Sequence, residues 1–249
     1  MQKAGQGIMI IKKSPEIFDV TVRRIKDFGN ETRHYELSLE DGKSMDFMPG
    51  QFVSIIYPEN GKVIRRAYSI ASPPEEKKQI DLCLKLVPGG KVTPWFWTFH
   101  EGKRIQVHGP FGKFVLPFEV EEQELVFIAT GTGIAPFRSM IRDLLHKGFQ
   151  RNIWLLFGTR YERSIPYDEE WRLLESYYPQ FHYIPTVSRP SAGWKGEIGY
   201  VQTKISKFFP QPDGKLVYIC GLNQMIQAVQ EECLKRGFQK EMIHHERFD

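Results

Sequence analysis

Leu125-Val126-Phe127-Ile128-Ala129-Thr130-Gly131-Thr132-Gly133-Ile134-Ala135-Pro136 is the stretch on which the reading of this chain turns. Its first five residues form a continuous apolar run of the length of a buried strand. The glycines that follow permit a tight turn and close backbone approach, and a helix starting there presents free N–H groups to an anion. Pro136 suits a first helical turn, where no N–H is needed. A dinucleotide pyrophosphate is the natural guest of such a turn, although a tight turn without a ligand has the same spelling.

Toward the C-terminus the rhythm repeats. Apolar runs recur at 153–157, 182–187 and 216–220, with a short one at 242–244. Amphipathic helical patterns fill 135–145 and 225–234. Apolar strands alternating with such helices predict a doubly wound parallel α/β sheet covered on both faces. Ligands of these sheets sit at the carboxyl ends of the strands. The fourth run ends Tyr218-Ile219-Cys220-Gly221, a second glycine turn at such an end. Cys220 either lies against a bound ring there or fills space as a small buried thiol.

Toward the N-terminus the pattern changes near residue 120. Phe18, Val20 and Val22, then Tyr35, Leu37 and Leu39, alternate with polar residues at the period of a strand. Asp41-Gly42 and Pro49-Gly50 mark turns, and further strands are expected at 51–57, 64–70, 80–87 and 104–108. Six short strands in about 100 residues predict a six-stranded antiparallel β-barrel, which removes its own edges by closing. The expected domains are therefore 1–120, a barrel, and 121–249, an α/β unit. On the fourth barrel strand Arg66 and Tyr68 share a face, and Ser69 points to the other unless the strand bends. Some 20 residues later Val87-Pro88-Gly89-Gly90-Lys91-Val92-Thr93 forms another glycine-rich turn, opening a short helix expected over 94–99. Free amides there suit phosphate.

Composition removes other classes. The 249 residues include 41% hydrophobic and 26% charged side chains, which is globular composition. Three cysteines, at 83, 220 and 233, show no CxxC pair and are too few for an iron–sulfur cluster or a Cys₄ zinc site. His244-His245 has no partner at ligand spacing, so no metal is expected. Asp168-Glu169-Glu170 reads as the charged start of a helix rather than acid–base machinery. The longest N-terminal apolar run, Ile8-Met9-Ile10-Ile11, is too short for a signal core or a membrane span. The expectation is a cytoplasmic monomer with neither nucleic-acid binding nor membrane insertion.

RRAYS (65–69), PGGKVT (88–93), GPFGKF (109–114), GTGIAPF (131–137), YICG (218–221) and ERF (246–248) occur in this order. Together they resemble the ferredoxin–NADP reductase family of flavoenzymes, over essentially the whole chain from about residue 15. The resemblance implies bound FAD and a nicotinamide dinucleotide. In the RxYS motif Arg66 would bind a flavin phosphate, Tyr68 would pack on the isoalloxazine, and Ser69 would hydrogen-bond near its N5. Gly90, Lys91, Val92 and Thr93 match the segment that holds the flavin pyrophosphate. Gly131, Thr132 and Gly133 match the turn for the nicotinamide dinucleotide, and Cys220 and Gly221 match the pair beside the nicotinamide. Glu246 and Phe248 match the C-terminal acid and aromatic over the flavin, although here Asp249 follows the aromatic where plant-type members end on it. Ser69, Glu246 and Cys220 are thus the expected catalytic groups, the first two as a proton relay.

Ser188 and Arg189 fall where the family's adenosine 2′-phosphate sits. Arginine grips phosphate with a planar fork, whereas an NAD site more often presents an acid to the ribose. The reading favours NADP(H), with NAD(H) as the alternative. The activity implied is hydride exchange between NADP(H) and FAD, with single electrons passed to a separate acidic carrier such as ferredoxin or flavodoxin. The rivals are an NADH-dependent reductase component of a multicomponent oxygenase and a non-catalytic flavin-binding subunit of a larger redox complex. Residues 1–120 hold 18 basic against 14 acidic residues and 121–249 hold 16 of each, so the whole net charge of +4 lies in the barrel half.

Overall fold

A computed structural model describes residues 14–117, 120 and 123–248; the 8–11 run, the start of the second expected domain at 121 and Asp249 lie outside the described residues. Six strands form the first sheet: β1 (Glu16–Phe28), β2 (Thr32–Leu39), β3 (Phe52–Glu59), β4 (Lys62–Ser69), β5 (Gln79–Lys85) and β6 (Arg104–Phe111). Their order is β4-β3-β6-β1-β2-β5, with every pair antiparallel. The two ends meet just beyond β4, where Ile70 bridges Leu82 and the Ala71 N–H donates to the Asp81 carbonyl at 2.8 Å. The sheet is therefore closed at this corner, where its two ends are bonded to each other within the molecule.

Alternation decides which side chains fill it. Phe18, Val20, Val22, Tyr35, Leu37 and Leu39 point into one core with Val53, Ile55 and Val107. Tyr35 brings a polar group into this core and is satisfied, because its Oη donates to the Phe96 carbonyl at 2.8 Å. Phe96 belongs to α1 (Val92–Trp97), which plugs the barrel and buries that ring completely. The helix starts two residues earlier than the sequence pattern suggests and stops at Trp97.

The second sheet holds β7 (Glu124–Thr130), β8 (Ile153–Thr159), β9 (Phe181–Val187), β10 (Glu197–Ile198), β11 (Lys215–Gly221) and β12 (Ile243–Arg247). Its order is β10-β9-β8-β7-β11-β12, all parallel. Four helices cover it: α2 (Ile134–His146), α3 (Asp168–Tyr177), α4 (Ile205–Phe208) and α5 (Asn223–Lys235). Leu125, Phe127 and Ala129 of β7 pack with Phe137, Met140 and Trp171 of α2 and α3. Val126 and Ile128 face the other way, onto Ile205, Ile226 and Val229 of α4 and α5. A strand buried on both faces has no polar face, which is why 125–129 reads as unbroken apolar sequence. Chain order reverses at β7, which lies between β8 and β11. The crevice at the carboxyl ends of β7 and β11 is thus the topological switch point.

Candidate functional site

At that switch point β7 ends on Thr130, and a single 3-10 turn, Gly131–Gly133, leads into α2. A Cβ on Gly133 would overlap the Cys220 carbonyl, so only glycine lets the turn lie against β11. Gly221 has φ of +152°, and a Cβ there would crowd Thr130 Oγ1. The two glycine turns read separately in the sequence are thus packed on each other. Thr130 Oγ1 is buried without a hydrogen-bond partner among the described residues, and so is Thr186 Oγ1 near the end of β9. A buried hydroxyl left unmatched costs about 1–3 kcal/mol, which a polar ligand seated on the turn would relieve.

The barrel reaches the same point from the other side. Ser69, the last residue of β4, is buried, and its Oγ donates to Glu246 Oε2 at 3.4 Å. Glu246 lies on β12 in register with Cys220 of β11. The three expected catalytic residues therefore come together where the barrel meets the parallel sheet. Burial pushes the Glu246 carboxyl up to about 7, against the opposing pull of the Ser69 hydrogen bond. Near neutral pH this group can hold or release a proton. Burial, and then the charge of Glu246, keep the Cys220 thiol far above its ordinary range. Cys220 is consequently a neutral wall of the site and no thiolate nucleophile. Phe248 is half-buried, its N–H donating to the Gly221 carbonyl at 3.1 Å.

On the barrel surface Arg66 is exposed, with Nη1 donating to the Arg65 carbonyl at 2.9 Å. Tyr68 is half-buried with its ring 6.1 Å from that of Phe96, and burial raises its phenol to about 12. Tyr68 thereby rests on α1, the helix that begins within the Gly90–Thr93 segment. Within that segment the amides differ in availability. The Gly90 N–H closes a turn onto the Val87 carbonyl at 2.9 Å and is not available. The amides of Lys91, Val92 and Thr93 start a helix, where no intrahelical partner exists. Lys91 Nζ pairs with Glu59 at 2.6 Å, and Thr93 Oγ1 accepts the Val87 N–H at 3.0 Å while keeping its own proton to donate.

At the far edge the Ser188 N–H bonds the Thr159 carbonyl at 3.0 Å and the Arg189 N–H bonds the Arg160 carbonyl at 2.9 Å. Arg189 and Arg160 thus stand side by side at the ends of β9 and β8, both exposed. In the sequence, the place of Arg160 directly after the strand at 153–157 is the signal that could have found it. Thr130 was read as the start of a turn, and its unmatched hydroxyl is visible only in three dimensions. No group of three His, Cys, Asp or Glu side chains is arranged to hold a metal among the described residues. No helix among them is long and apolar enough to cross a membrane.

A barrel and a switch-point turn, meeting at a half-buried acid, make a two-part architecture. The oxidoreductase FAD-binding domain model matches residues 19–116, and the oxidoreductase NAD-binding domain model matches residues 127–231. The chain is 32% identical over 241 residues to ferredoxin–NADP reductase B of Sorangium cellulosum, covering 94% of this chain and 98% of that one. It is 31% identical to the phenol hydroxylase P5 protein of Acinetobacter pittii, with 93% of this chain and 65% of that protein covered. The crystal structure of the Amycolatopsis reductase GcoB superposes with a TM-score of 0.86 at 27% identity, over 94% of this chain and 70% of that one. The chain belongs to the ferredoxin–NADP reductase family of flavoenzymes.

Proposed function

We propose that the protein exchanges hydride between NADP(H) and FAD and passes single electrons to a separate acidic carrier such as ferredoxin or flavodoxin. The observation that carries this reading is the Ser69–Glu246 contact. It joins the barrel strand bearing the RxYS motif to the sheet edge beside Cys220. Residues 1–120 would hold FAD through Arg66, Tyr68, Ser69 and the Gly90–Thr93 segment, with the amides of Lys91, Val92 and Thr93 and the Thr93 hydroxyl as donors. Residues 121–249 would hold the nicotinamide dinucleotide through Gly131, Thr132 and Gly133, with Cys220 and Gly221 beside its ring. Ser188 and Arg189, joined by Arg160, would take the 2′-phosphate, and Phe248 would cover the flavin.

Bound FAD supplies the conversion between a two-electron hydride and single electrons. The chain's own work is positioning, exclusion of water and custody of a proton. Buried Cys220 and half-buried Phe248 line the site with apolar surface. Glu246 would hold a proton near neutral pH, and Ser69 Oγ, in contact with its carboxyl group, would relay that proton toward the barrel. The positive barrel half steers an acidic carrier to the flavin side, since the α/β half is neutral overall.

A second reading, an NADH-dependent reductase component of an oxygenase, is favoured by the likeness to the phenol hydroxylase P5 protein. Steady-state reduction of purified ferredoxin and flavodoxin, with NADPH or NADH as donor and across a salt series, separates the two. The first reading expects NADPH preference and rates that fall as salt rises. NADH preference with transfer to neither carrier would support the second.

A further inference from the structure

We infer that Arg138 is a positioning residue that ties the dinucleotide turn to the flavin-facing end of β4, so that the alignment for hydride transfer depends on it. This inference rests on the reading given under Proposed function. Arg138 lies on α2, five residues beyond Gly133 at the end of the turn. It is 8% exposed, and its guanidinium reaches across to the barrel. Nη1 donates to the Ala71 carbonyl at 3.0 Å and to Asp81 Oδ2 at 2.9 Å. Nε donates to both carboxylate oxygens of Glu170 on α3, at 3.0 and 2.9 Å.

The barrel partners are the seam that closes the sheet. Ala71 lies two residues beyond Ser69, and its own N–H donates to the Asp81 carbonyl. The Asp81 N–H in turn donates to Ser72 Oγ at 3.0 Å. From the glycine turn to Ser69 there is thus one short stretch of helix, one guanidinium and two residues of backbone. Apolar packing alone would hold the two halves together while allowing them to slide. A planar fork with directional bonds to a backbone carbonyl and a buried carboxylate fixes their register. A buried ion pair is weak evidence of stabilisation, so the fixing of arrangement is the role to test here.

The surroundings keep the fork charged and singly oriented. Its Cζ lies 4.7 Å from the ring centre of Tyr167, whose hydroxyl is 3.0 Å from His34 Nδ1. Burial, reinforced by Arg138, Lys26 and Arg24 against the opposing pull of Asp81, lowers His34 to about 4, so it adds no competing charge at neutral pH. Burial also raises the Cys83 thiol to about 12 and the Tyr167 phenol well above its usual range. Arg138 is then the cation that answers buried Asp81.

The test uses full-length, FAD-loaded protein and the variants Arg138→Met, Arg138→Lys and Glu170→Gln. Anaerobic stopped-flow reduction by NADPH should slow about 10- to 100-fold in R138M, the scale of an ångström's misalignment. FAD content and the NADP⁺ dissociation constant should stay within about twofold, and R138K should recover part of the rate. A second readout needs no turnover. Binding of NADP⁺ should alter hydrogen exchange at the Ile70 and Ala71 amides of the unsubstituted protein, and this response should vanish in R138M. Retention of both the rate and the exchange response, with only a lower melting temperature, would overturn the inference. If R138M does not fold, E170Q decides, with a slower hydride step expected and an unchanged one contradicting the inference. If neither nucleotide reduces the unsubstituted protein, the reading it rests on falls first.

Discussion

The two proposed nucleotide cradles differ in how their polar groups are satisfied. In the barrel, Lys91 pairs with Glu59, Thr93 Oγ1 takes the Val87 N–H, and Arg66 bonds the Arg65 carbonyl. At the edge of the parallel sheet, the Thr130 and Thr186 hydroxyls are buried with no partner among the described residues, and Arg160 and Arg189 stand exposed on adjacent strand ends. The side chains of the barrel cradle are therefore part of the fold's own bonding, whereas those at the sheet edge are uncommitted. Substitutions in the first should disturb stability along with flavin retention. Those in the second should act on nicotinamide recognition with little effect on the fold.

The largest effect is expected at the contact between the two glycine turns. Gly133→Val places side-chain atoms into the Cys220 backbone. Reduction by either nucleotide should fall about 100-fold for each ångström the turn moves, and overpacking should destabilise by about 1–3 kcal/mol. Anaerobic stopped-flow and thermal melts measure both, and full activity would mean that the turn is not the dinucleotide cradle. Next comes Arg189→Ala, which should weaken NADPH recognition by about 1.5–3 kcal/mol, or about 10- to 150-fold in kcat/KM, while sparing NADH. Equal losses with the two nucleotides would remove Arg189 from the 2′-phosphate site.

Glu246 belongs to neither cradle and tests their junction. Its folded carboxyl, near 7, lies above the ordinary 4.5, so the folded state favours the protonated form. The stability this contributes is present in full below pH 4.5 and is lost as pH rises through 7. Glu246→Gln should therefore gain about 3 kcal/mol relative to the unsubstituted protein between pH 4 and pH 8, less the part that solvent screens at this half-buried side chain. A difference in melting temperature that does not vary with pH would contradict a half-buried, protonated acid. The smallest effect is expected on the barrel side. Thr93→Val leaves the Val87 N–H without its acceptor and should cost about 1 kcal/mol in chemical denaturation. Destabilisation by a comparable Thr130→Val, whose hydroxyl has no such role, would erase the contrast.

Much of the fold was legible because burial writes itself into composition. The two-faced burial of β7 leaves an unbroken apolar run, and the one-faced strands of the barrel alternate. β10 and α4 escaped because two and four residues are too few to display a period. The start of α1 was misjudged because Lys91 and Val92 carry no capping signal, and the helix is held by tertiary packing of Phe96. The roles for Ser69, Cys220 and Glu246, and with them the meeting of Ser69 and Glu246, were implied by the family motifs and were not legible from the pattern of the residues. That meeting depends on how two sheets dock, with Ser69 and Glu246 177 residues apart. Arg138 was hidden for the same reason. Within GTGIAPF and its continuation it reads as one polar residue on a helix, and only the seam of the barrel gives it partners.

The central claim is that barrel and parallel sheet meet to pass hydride between nicotinamide and flavin. The most direct test is anaerobic mixing of the FAD-loaded protein with NADPH and, separately, with NADH, following the visible flavin absorbance. The account predicts rapid bleaching, faster with NADPH, and a marked slowing in Ser69→Ala. A bound flavin that neither nucleotide bleaches would contradict it and point to a non-catalytic flavin-binding subunit.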